Sequence, residues 1–352
     1  MEKALIAISG GVDSSATALI MKEAGYDCLG VTMKLHSVKD ITSEGCVTTQ
    51  DIIDARRVCE KLGIGYSVVD FSDDFEKYVI KGFVEAYENG ATPNPCIECN
   101  YHLKFNKLFE YGRAMGYDTI ATGHYAKIEF DDKYQRRVLK KGNDESKDQS
   151  YVLFRLSREQ IEHTVFPLGA LSKAEVRALA QRAGLDVSSK RDSQDICFIP
   201  DGDYAKFIEN YTKKSYPSGN FVSLDGKILG KHRGIIRYTI GQGKGLGLAL
   251  PHRMYVCAKN LDTNEVIIGD NEDLFTTELW ADNVNLIAVD SLDKPMRVKA
   301  KVRYKHQEQD ALAVMENGRL HVTFDEPQRA ICKGQSVVLY DGDVVIGGGI
   351  IA

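Results

Sequence analysis

A strand, a glycine-rich turn and a helix follow one another at the start of the chain, and no other stretch limits the possible folds as much. Residues 4–8 are all apolar, which predicts a buried parallel strand. Residues 9–15 have the sequence Ser-Gly-Gly-Val-Asp-Ser-Ser, and apolar residues then recur at helical spacing until Gly25. Glycines allow close approach of a phosphate, and the first N–H groups of a helix attract negative charge. The stretch therefore predicts an anion site where a strand turns into a helix.

Asp13 places a carboxylate inside this predicted anion site. A cation between the carboxylate and the phosphates would remove the conflict, which predicts Mg²⁺ on a pyrophosphate group. A plain structural corner with a serine N-cap is the alternative, and a Walker phosphate loop is excluded because no Gly-Lys-Ser/Thr follows. Residues 9–14, Ser-Gly-Gly-Val-Asp-Ser, resemble the PP-loop of the ATP pyrophosphatase superfamily, whose members cleave ATP between its α and β phosphates. The resemblance implies ATP and Mg²⁺, with nucleotide contacts from Ala7, Ile8, Ser9, Gly10, Gly11, Val12, Asp13 and Ser14.

Strands alternate with helices over the next hundred residues. Strands are expected over 28–33, 66–69 and 117–121, and helices over 51–62 and 74–89. This alternation predicts an α/β fold with a parallel sheet and with ligands at the carboxyl ends of the strands. At that edge an adenine ring could lie against Met33, although a core methionine is equally consistent with the pattern. Gly123 follows another strand there and would allow close approach of the nucleotide.

Two cysteines follow a proline-rich loop. Pro93 and Pro95 disfavour a helix interior or a central strand, so we expect a stiff loop that enters a helix near Asn100. Cys99 would then lie at the helix N-terminus, where the dipole stabilises a thiolate and favours a nucleophile. Structural zinc and a redox disulfide are the alternatives for the Cys96–Cys99 pair. Zinc lacks a second ligand pair in the sequence, and the pair does not follow a strand as in thioredoxin-like proteins.

Charge is distributed unevenly along the chain. Residues 1–100 carry 9 Lys and Arg against 16 Asp and Glu, residues 101–260 carry 27 against 18, and residues 261–352 carry 9 against 16. A basic centre suits a polyanion such as RNA, although ordinary solvated surface gives the same pattern. Residues 130–147 are especially basic and predict a hairpin or loop. No stretch approaches about 18 uninterrupted apolar residues, so no membrane segment is expected. The 8 scattered cysteines are typical of a reducing cytoplasm.

Composition changes near residue 200 toward glycine, tyrosine and alternating strand patterns. We expect a catalytic domain over 1–200, a central β-rich domain over 201–272 and a C-terminal β-barrel domain over 273–352. Residues 201–207 predict a linker, and the three glycines at 347–349 are expected to precede a last short strand. Cys197 lies in the apolar run 196–199, which predicts a strand; a lone cysteine in such a run is more often core than catalyst.

A set of motifs in a fixed order gives a more specific resemblance. Besides the PP-loop, the chain carries Asn-Pro-Cys-Ile-Glu-Cys-Asn at 94–100, Gly-His-Tyr-Ala at 123–126, Lys-Asp-Gln-Ser-Tyr at 147–151, Asp-Ser-Gln-Asp-Ile-Cys-Phe at 192–198 and Tyr-Thr-Ile-Gly-Gln at 238–242. The set resembles the tRNA-specific 2-thiouridylases, bacterial enzymes that thiolate the wobble uridine, and the resemblance covers nearly the whole chain. Its implied fold is an adenine nucleotide α-hydrolase-like PP-loop domain followed by the two β-rich domains.

The resemblance also implies roles for individual residues. Cys99 maps to the nucleophile and Cys197 to the carrier of a persulfide, which an upstream sulfur carrier protein would load. The tRNA anticodon loop with U34 would contact Asn94, Pro95, Cys96, Lys147, Asp148, Gln149, Arg303 and Tyr304. Many family members carry Asp at the position of Cys96. The extra cysteine leaves open whether Cys96, Cys99 and Cys197 hold a [4Fe–4S] cluster or whether Cys96 relays sulfur.

Two other classes of function remain as alternatives. One is a PP-loop amide ligase or amidotransferase acting on a small molecule, and the other is a non-catalytic RNA-binding protein with a degenerate nucleotide site. Neither needs two reactive cysteines beside an intact PP-loop. Release of pyrophosphate that depends on added tRNA would distinguish all three.

Overall fold

A five-stranded parallel sheet with the order β3-β2-β1-β4-β7 carries the N-terminal part of the chain in this computed structural model, which describes residues 2–35, 48–186, 196–250 and 252–352. Its strands are β1 Lys3–Ala7, β2 Asp27–Lys34, β3 Gly65–Asp70, β4 Thr119–Ala121 and β7 Thr164–Val165. In central β1, Leu5 belongs to one apolar core while Ala4 and Ile6 belong to the other. Both faces of the sheet are therefore covered, as expected of a parallel sheet, and the predicted α/β architecture is confirmed.

Helices cover this sheet, and two of them are interrupted by π-helical turns. The helices are α1 Val12–Glu23, α2 Thr49–Leu62, α3 Ser72–Phe75, α4 Lys81–Glu88, α5 Pro95–Glu98, α6 Leu108–Ala114, α7 Arg158–Glu162, α8 Lys173–Arg182 and α9 Tyr204–Thr212. The π-helices are π1 Glu76–Ile80, between α3 and α4, and π2 Cys99–Lys107, between α5 and α6. Short 3-10 turns lie at Ser150–Leu153, Ile235–Arg237 and Glu272–Leu274. A capping box of Ser172 and Glu175 opens α8, as the sequence predicts.

Two boundaries in the helical part differ from the sequence expectations. The helix after the proline loop begins at Pro95, not near Asn100, because Pro95 occupies the first helical position and Asn94 caps it by accepting from the Cys96 N–H at 3.2 Å. The predicted linker at 201–207 enters α9, since the Asp203 side chain accepts from the Lys206 N–H at 2.9 Å. Both were missed because cap residues also occur in loops.

The C-terminal strands close into an antiparallel barrel, which confirms the predicted β-barrel. Its strands are β12 Phe275–Leu286, β13 Met296–Lys301, β14 Gln309–Glu316, β15 Arg319–Arg329, β16 Ser336–Asp341 and β17 Val344–Ile351. The order β12-β15-β14-β13-β16-β17 is closed by pairing of β17 with β12. The basic segment 130–147 supplies part of a hairpin, β5 Ala126–Asp131 and β6 Arg136–Lys141, that docks on β17 beside Val344.

A four-stranded sheet with the order β10-β11-β8-β9 lies between these parts of the chain and confirms the β-rich centre. Its strands are β8 Gly219–Ser223, β9 Ile228–His232, β10 Tyr255–Asn260 and β11 Glu265–Gly269. Within the described residues, no helix is both long and apolar enough to cross a membrane.

The structure corrects two strand expectations and adds one strand that was missed. The glycines at 347–349 lie inside β17 and do not precede it; a Cβ on Gly348 would collide with the Val337 carbonyl oxygen and the Phe154 ring. Residues 196–199 form a turn in place of a strand, in which the Ile199 N–H donates to the Ile196 carbonyl at 2.8 Å. A short apolar run predicts burial, which Phe198 shows, and not the type of element. The first barrel strand, β12, was missed because its inward residues Leu279 and Ala281 are flanked by polar ones.

Candidate nucleotide and thiol site

The turn between β1 and α1 is held in one shape by its own hydroxyl groups. The Ser14 Oγ accepts from the Ser9 N–H at 3.1 Å and donates to the Gly11 carbonyl at 3.1 Å. Gly10 has a φ of 72°, and a Cβ there would collide with the Asp51 carbonyl. Gly11 stands at the N-cap of α1 with no side chain to satisfy the first N–H groups. The turn is therefore a rigid glycine-lined site for an anion at a helix N-terminus.

Asp13 already has a cation beside it. The Lys173 Nζ donates to both carboxylate oxygens of Asp13 at 2.8 Å, and the Tyr125 hydroxyl donates to Oδ1 at 2.8 Å. The Lys173 side chain is only 12% exposed. Asp13 and Lys173 together contribute almost no net charge, which removes the conflict that a carboxylate creates in an anion site.

Gly123 and Met33 are both predicted to contact the nucleotide, but they lie in different surroundings. A Cβ on Gly123 would lie 3.0 Å from the Asp13 carbonyl carbon, so the loop after β4 is packed directly against the start of α1. Met33 is buried in the core that contains Leu5 and Leu35. Gly123 therefore borders the predicted phosphate site, and the adenine contact of Met33 stays a prediction. Of the remaining predicted contacts, Ile8 and Val12 are buried and can offer a nucleotide only their backbone.

Cys99 lies in the second turn of its helix and not at the N-terminus. Burial raises the pKa of Cys99 to about 11, against the opposing effect of the Lys104 charge. Burial by the surrounding protein also raises the pKa of Cys96, although its side chain is exposed. The expectation of a dipole-activated thiolate at Cys99 is therefore wrong for this structure. The nearby cation that lowers the pKa of Cys99 is Lys104.

Lys104 is placed to be that cation because the helix is a π-helix at this point. In an α-helix a residue five positions on is rotated about 140° away from the first. The i→i+5 pattern of π2, seen in the Leu108 N–H that bonds to the Leu103 carbonyl, returns Lys104 to the side of Cys99. Its charge lowers the pKa of both Cys96 and Cys99.

A neutral histidine holds Lys104. The Lys104 Nζ lies 3.5 Å from Nε2 of buried His124, and the Thr122 Oγ1 lies 2.7 Å from its Nδ1. Burial and the Lys104 charge lower the pKa of His124 well below its ordinary value. An ammonium group only donates, so Nε2 accepts and the Nδ1–H donates to Thr122. The motif at 123–126 therefore takes part in both halves of the site. His124 holds the lysine that acts on the thiols, and Gly123 and Tyr125 contact the PP-loop.

Cys197 is not joined to Cys99. Cys96 and Cys99 are free thiols, whereas Cys197 is disulfide-bonded to another cysteine. The next residue, Phe198, is buried edge-on against Phe75 at 5.7 Å between ring centroids. The motif residues 192–195 lie outside the described residues. The structure therefore brings together the PP-loop, Cys96 and Cys99 but does not show Cys197 in a position to react with Cys99.

Three residues predicted to contact tRNA are brought together from distant parts of the sequence. Burial raises the pKa of Tyr304, and Asp148 and Cys96 each lie close enough to Tyr304 to raise it further. Asp148 accepts from the Gly142 and Ser150 N–H groups at 3.0 and 3.1 Å, so it also fixes the loop that carries it.

The other predicted tRNA contacts have structural bonds of their own. The Gln149 Oε1 accepts from the Tyr125 N–H at 3.0 Å. The Arg303 guanidinium points inward, donates to the Ala330 carbonyl and lies 2.7 Å from the Cys332 sulfur. Pro95 is buried, and Lys147 is partly exposed beside Asp144.

The basic side chains of the β5–β6 hairpin are ion-paired within the protein. Arg136 pairs with Asp290 at 3.1 Å, Lys140 with Asp131 at 2.9 Å, and Lys141 with Glu308. This part of the basic centre therefore docks the hairpin on the rest of the chain. It is a poor candidate for an RNA surface, even though the segment is rich in Lys and Arg.

Neither predicted metal has a complete protein site among the described residues, and Mg²⁺ on Asp13 stays a prediction. Mg²⁺ takes oxygen ligands, yet both Asp13 oxygens are bonded to the Lys173 ammonium. Among the residues that the structure describes, no group of three His, Cys, Asp or Glu side chains is placed to hold a metal ion. Cys96, Cys99 and Cys197 therefore do not form the three-cysteine site that a [4Fe–4S] cluster would need.

Lys173 and Tyr125 are the site residues that sequence reasoning missed. A signal for Lys173 was available. It is the first residue of α8, where a cation is unfavourable with the helix dipole, so a lysine there needs another reason. Tyr125 gave no such signal, because a tyrosine after a strand is ordinary.

Comparison with known proteins covers the whole chain. Residues 2–201 match the family described as tRNA methyl transferase HUP domain, residues 205–270 its PRC-barrel domain, and residues 276–351 the aminomethyltransferase beta-barrel domain. The chain is 49% identical over 355 aligned positions to the tRNA-specific 2-thiouridylase MnmA of Acetivibrio thermocellus, covering 99% of each chain. It is 48% identical to the protein of the same name from Clostridioides difficile, covering 99% of this chain and 98% of the other.

Solved structures are much less similar. A 4-thiouridine synthetase–RNA complex with bound ATP is 14% identical, with a TM-score of 0.36, over 59% of this chain and 50% of that one. We draw no conclusion from a likeness this low.

Proposed function

The chain belongs to the tRNA-specific 2-thiouridylase family, and we propose on that premise that it converts the wobble uridine of tRNA, U34, to 2-thiouridine with consumption of ATP. The observation that supports this most strongly is that the Gly123–His124 segment contacts both an intact PP-loop and Lys104, whose charge acts on a pair of free thiols. An amide ligase would not need the thiols, and a non-catalytic RNA-binding protein would need neither feature. Formation of 2-thiouridine in tRNA accounts for both.

Activation of the base is the first step that we propose. The C2 oxygen of uridine is a poor leaving group and has to be activated before sulfur can replace it. It attacks the α phosphorus of ATP, and pyrophosphate leaves. The N–H groups at the start of α1 and the Lys173 ammonium stabilise the charge of the departing group. The product is an adenylated base whose C2–O bond can break with AMP as the leaving group.

Sulfur transfer is the second step. The terminal sulfur of a persulfide on Cys197 attacks C2, and AMP leaves with the oxygen. The Cys99 thiolate then attacks the Sγ of Cys197; the sulfur–sulfur bond breaks and its electron pair stays on the sulfur bound to C2. The new Cys99–Cys197 disulfide is reduced by two external thiols. Because Cys197 is disulfide-bonded in this structure, that bond has to be reduced before an upstream carrier can load the persulfide.

Lys104 has a defined part in this step. With a pKa of about 11, Cys99 is almost entirely protonated at neutral pH, and only the thiolate attacks sulfur. The Lys104 ammonium stabilises the thiolate as it forms, and neutral His124 keeps the ammonium in place. We assign Cys96 no separate step, and its thiol is free in this structure.

The tRNA surface that we propose joins the loop 142–150, the start of α5 and the barrel. We assign Asn94, Cys96, Asp148 and Tyr304 to the pocket for the flipped base and Lys147 to a flanking phosphate, whereas the Arg303 guanidinium is bonded inward to the Ala330 carbonyl. The three proposed domains, 1–200, 201–272 and 273–352, all contribute to the enzyme. We place the protein in the cytoplasm because its proposed substrate is tRNA.

A single assay tests the proposal. Purified protein, ATP, a persulfide-generating sulfur donor and an unmodified tRNA transcript are incubated, and pyrophosphate and 2-thiouridine are measured. We expect both products only when tRNA with U34 is present, and neither with a transcript in which U34 is replaced by C. Pyrophosphate release without tRNA would favour a small-molecule ligase, and tRNA binding without either product would favour a non-catalytic RNA-binding protein.

A further inference from the structure

Three arginines lie at the junction between the central four-stranded sheet and the barrel without a carboxylate partner. Within the described residues, Arg253, Arg303 and Arg329 form no ion pair with Asp or Glu. The Arg329 Nε donates to the amide oxygen of Asn271 at 2.9 Å, and the Arg303 guanidinium donates to the Ala330 carbonyl. The basic side chains of the β5–β6 hairpin differ, because carboxylates of the protein neutralise them. Positive charge at the junction is therefore left for a ligand.

An aromatic ring and a glycine-rich loop hold two of these arginines in place. The guanidinium carbons of Arg253 and Arg329 lie 5.2 and 4.8 Å from the centre of the Tyr255 ring. The loop 241–247, Gly-Gln-Gly-Lys-Gly-Leu-Gly, packs against the same ring. A Cβ on Gly243 would lie 2.7 Å from two carbons of the ring and 3.1 Å from the Arg253 Nε, so only glycine allows this approach. Both guanidinium groups are therefore oriented before a ligand binds.

Neighbouring groups add to the positive charge. A Cβ on Gly241 would lie 3.6 Å from the Arg329 Nη1 and 4.0 Å from the Arg303 Nη2, so both arginines border the glycine-rich loop. Burial lowers the pKa of His306, and the positive charges of Arg303, Arg329 and Lys301 lower it further. Cations this close repel one another, so an anion that binds among them gains more than it would at an isolated side chain.

The junction adjoins the pocket that we assign to the target base. Arg303 is followed in the chain by Tyr304, which lies close enough to Cys96 for Cys96 to raise its pKa. An RNA strand that leaves this pocket toward the barrel therefore passes Arg303 and meets the other two arginines next.

We propose that Lys244, Arg253 and Arg329 form a binding surface for backbone phosphates of the tRNA anticodon arm. The inference rests on the proposed function, which supplies the tRNA. Lys244 and Arg253 are exposed and Arg329 is partly exposed, so all three can reach a ligand. A guanidinium offers parallel N–H donors that match two phosphate oxygens. Such contacts fix the position of the arm and do not read its sequence.

The salt dependence of RNA binding tests the proposal. The probe is a labelled RNA hairpin that contains only the anticodon arm, and its affinity is measured by fluorescence anisotropy over a series of KCl concentrations. Arg253→Gln and Arg329→Gln should each weaken binding several-fold and flatten the slope of log K against log salt by about 0.7 to 0.9, since each removes one phosphate contact. The double variant should flatten it by about twice as much. Arg253→Lys keeps the charge and should keep the parent slope.

A matched control comes from the same barrel. Arg297 in β13 is 57% exposed, and both of its terminal nitrogens bond to the carboxylate of Asp325. Arg297→Gln should therefore keep the parent slope. The Arg253 and Arg329 variants should keep the parent's circular dichroism spectrum and its affinity for α,β-methylene-ATP, which shows that the fold and the nucleotide site are intact.

The outcomes distinguish the inference from the proposed function. A parent slope in the double variant would overturn the inference, and so would equal flattening by Arg297→Gln. Weaker binding of full-length tRNA with unchanged binding of the hairpin would overturn the assignment to the anticodon arm. Failure of the parent protein to bind either RNA would instead remove the proposed tRNA-dependent function.

Discussion

At the scale of single residues, the site places each charge beside an opposite charge or a neutral acceptor. Asp13 has Lys173 and Tyr125, and Lys104 has His124. Such pairs cost little while the protein is unliganded, and they leave the donors already oriented when a substrate charge develops. In the reaction that we propose, the two lysines act on different reactants, one on the phosphates and the other on the thiols.

Asp13→Asn should abolish ATP cleavage and leave tRNA binding nearly unchanged. The amide cannot hold the Lys173 ammonium through two charged bonds, so the cation is no longer aimed at the departing pyrophosphate. Loss of one such oriented group typically lowers turnover by about 10² to 10³. Pyrophosphate release and filter binding of labelled tRNA measure the two properties separately. Release at the parent rate would show that Asp13 has no part in catalysis.

Alkylation of Cys99 should be slow and should rise with pH until about pH 11. Burial raises the pKa of Cys99 to about 11, so at pH 8 only about one molecule in a thousand carries the reactive thiolate. Each pH unit should therefore increase the iodoacetamide rate about tenfold, as read from the Cys99 peptide by mass spectrometry in a Cys96→Ser background.

Lys104→Met should slow this reaction further at every pH below 11, because the charge that opposes burial is removed. The matched control is Lys107→Met, since Lys107 also lies in π2 but pairs with Asp74 at 3.6 Å. Equal rates in both lysine variants would show that Lys104 does not influence the thiol.

At the scale of secondary-structure elements, the sequence predicted whether a segment is a helix or a strand better than it predicted where the element begins and ends. Periodicity predicted four of the five strands of the parallel sheet, missing the two-residue β7, and the helix α2, because an apolar repeat reflects burial directly. It could not give the start of α5, since Asn94 and Pro95 are equally suited to a loop. Periodicity also could not predict π2. A π-helix has an extra residue in its turn because of tertiary packing, and the local sequence carries no pattern for it.

Closure of the barrel should depend on the absence of a side chain at Gly348. A Cβ there would meet the Val337 carbonyl oxygen and the Phe154 ring, in a strand that pairs on both sides. Gly348→Val should lower the free energy of unfolding by about 3 kcal/mol or prevent folding. Gly82→Ala is the control, since Gly82 is exposed in α4 with nothing near its Cβ position, and it should stabilise by about 0.5 to 1 kcal/mol. Denaturant titration compares the two, and a neutral Gly348→Val would contradict tight closure.

At the scale of the whole molecule, long-range docking decides which surface charges remain for a partner. The hairpin β5–β6 is far from the barrel in sequence, yet β6 pairs with β17 and Arg136 pairs with Asp290. Sequence analysis could count the basic residues of this segment, but the acidic partners come from another part of the chain. The candidate tRNA residues show the opposite case, because Tyr304 comes close enough to Cys96 and Asp148, which are distant in sequence, for both to raise its pKa. Family motifs identified those residues, and only the fold shows that they are neighbours.

The salt dependence of tRNA binding should separate a docking charge from a binding charge. Affinity should fall steeply with salt, and Lys147→Gln should flatten the slope of log K against log salt by about one, since one phosphate contact is lost. Lys140→Gln is the matched control: its side chain is 14% exposed and bonded to Asp131 at 2.9 Å, so its charge is already neutralised within the hairpin. The control should keep the parent slope and lose only a little stability. A flattened slope for Lys140→Gln would mean that tRNA displaces Asp131 and that the hairpin is part of the tRNA surface. An unchanged slope for Lys147→Gln would remove the loop 142–150 from that surface.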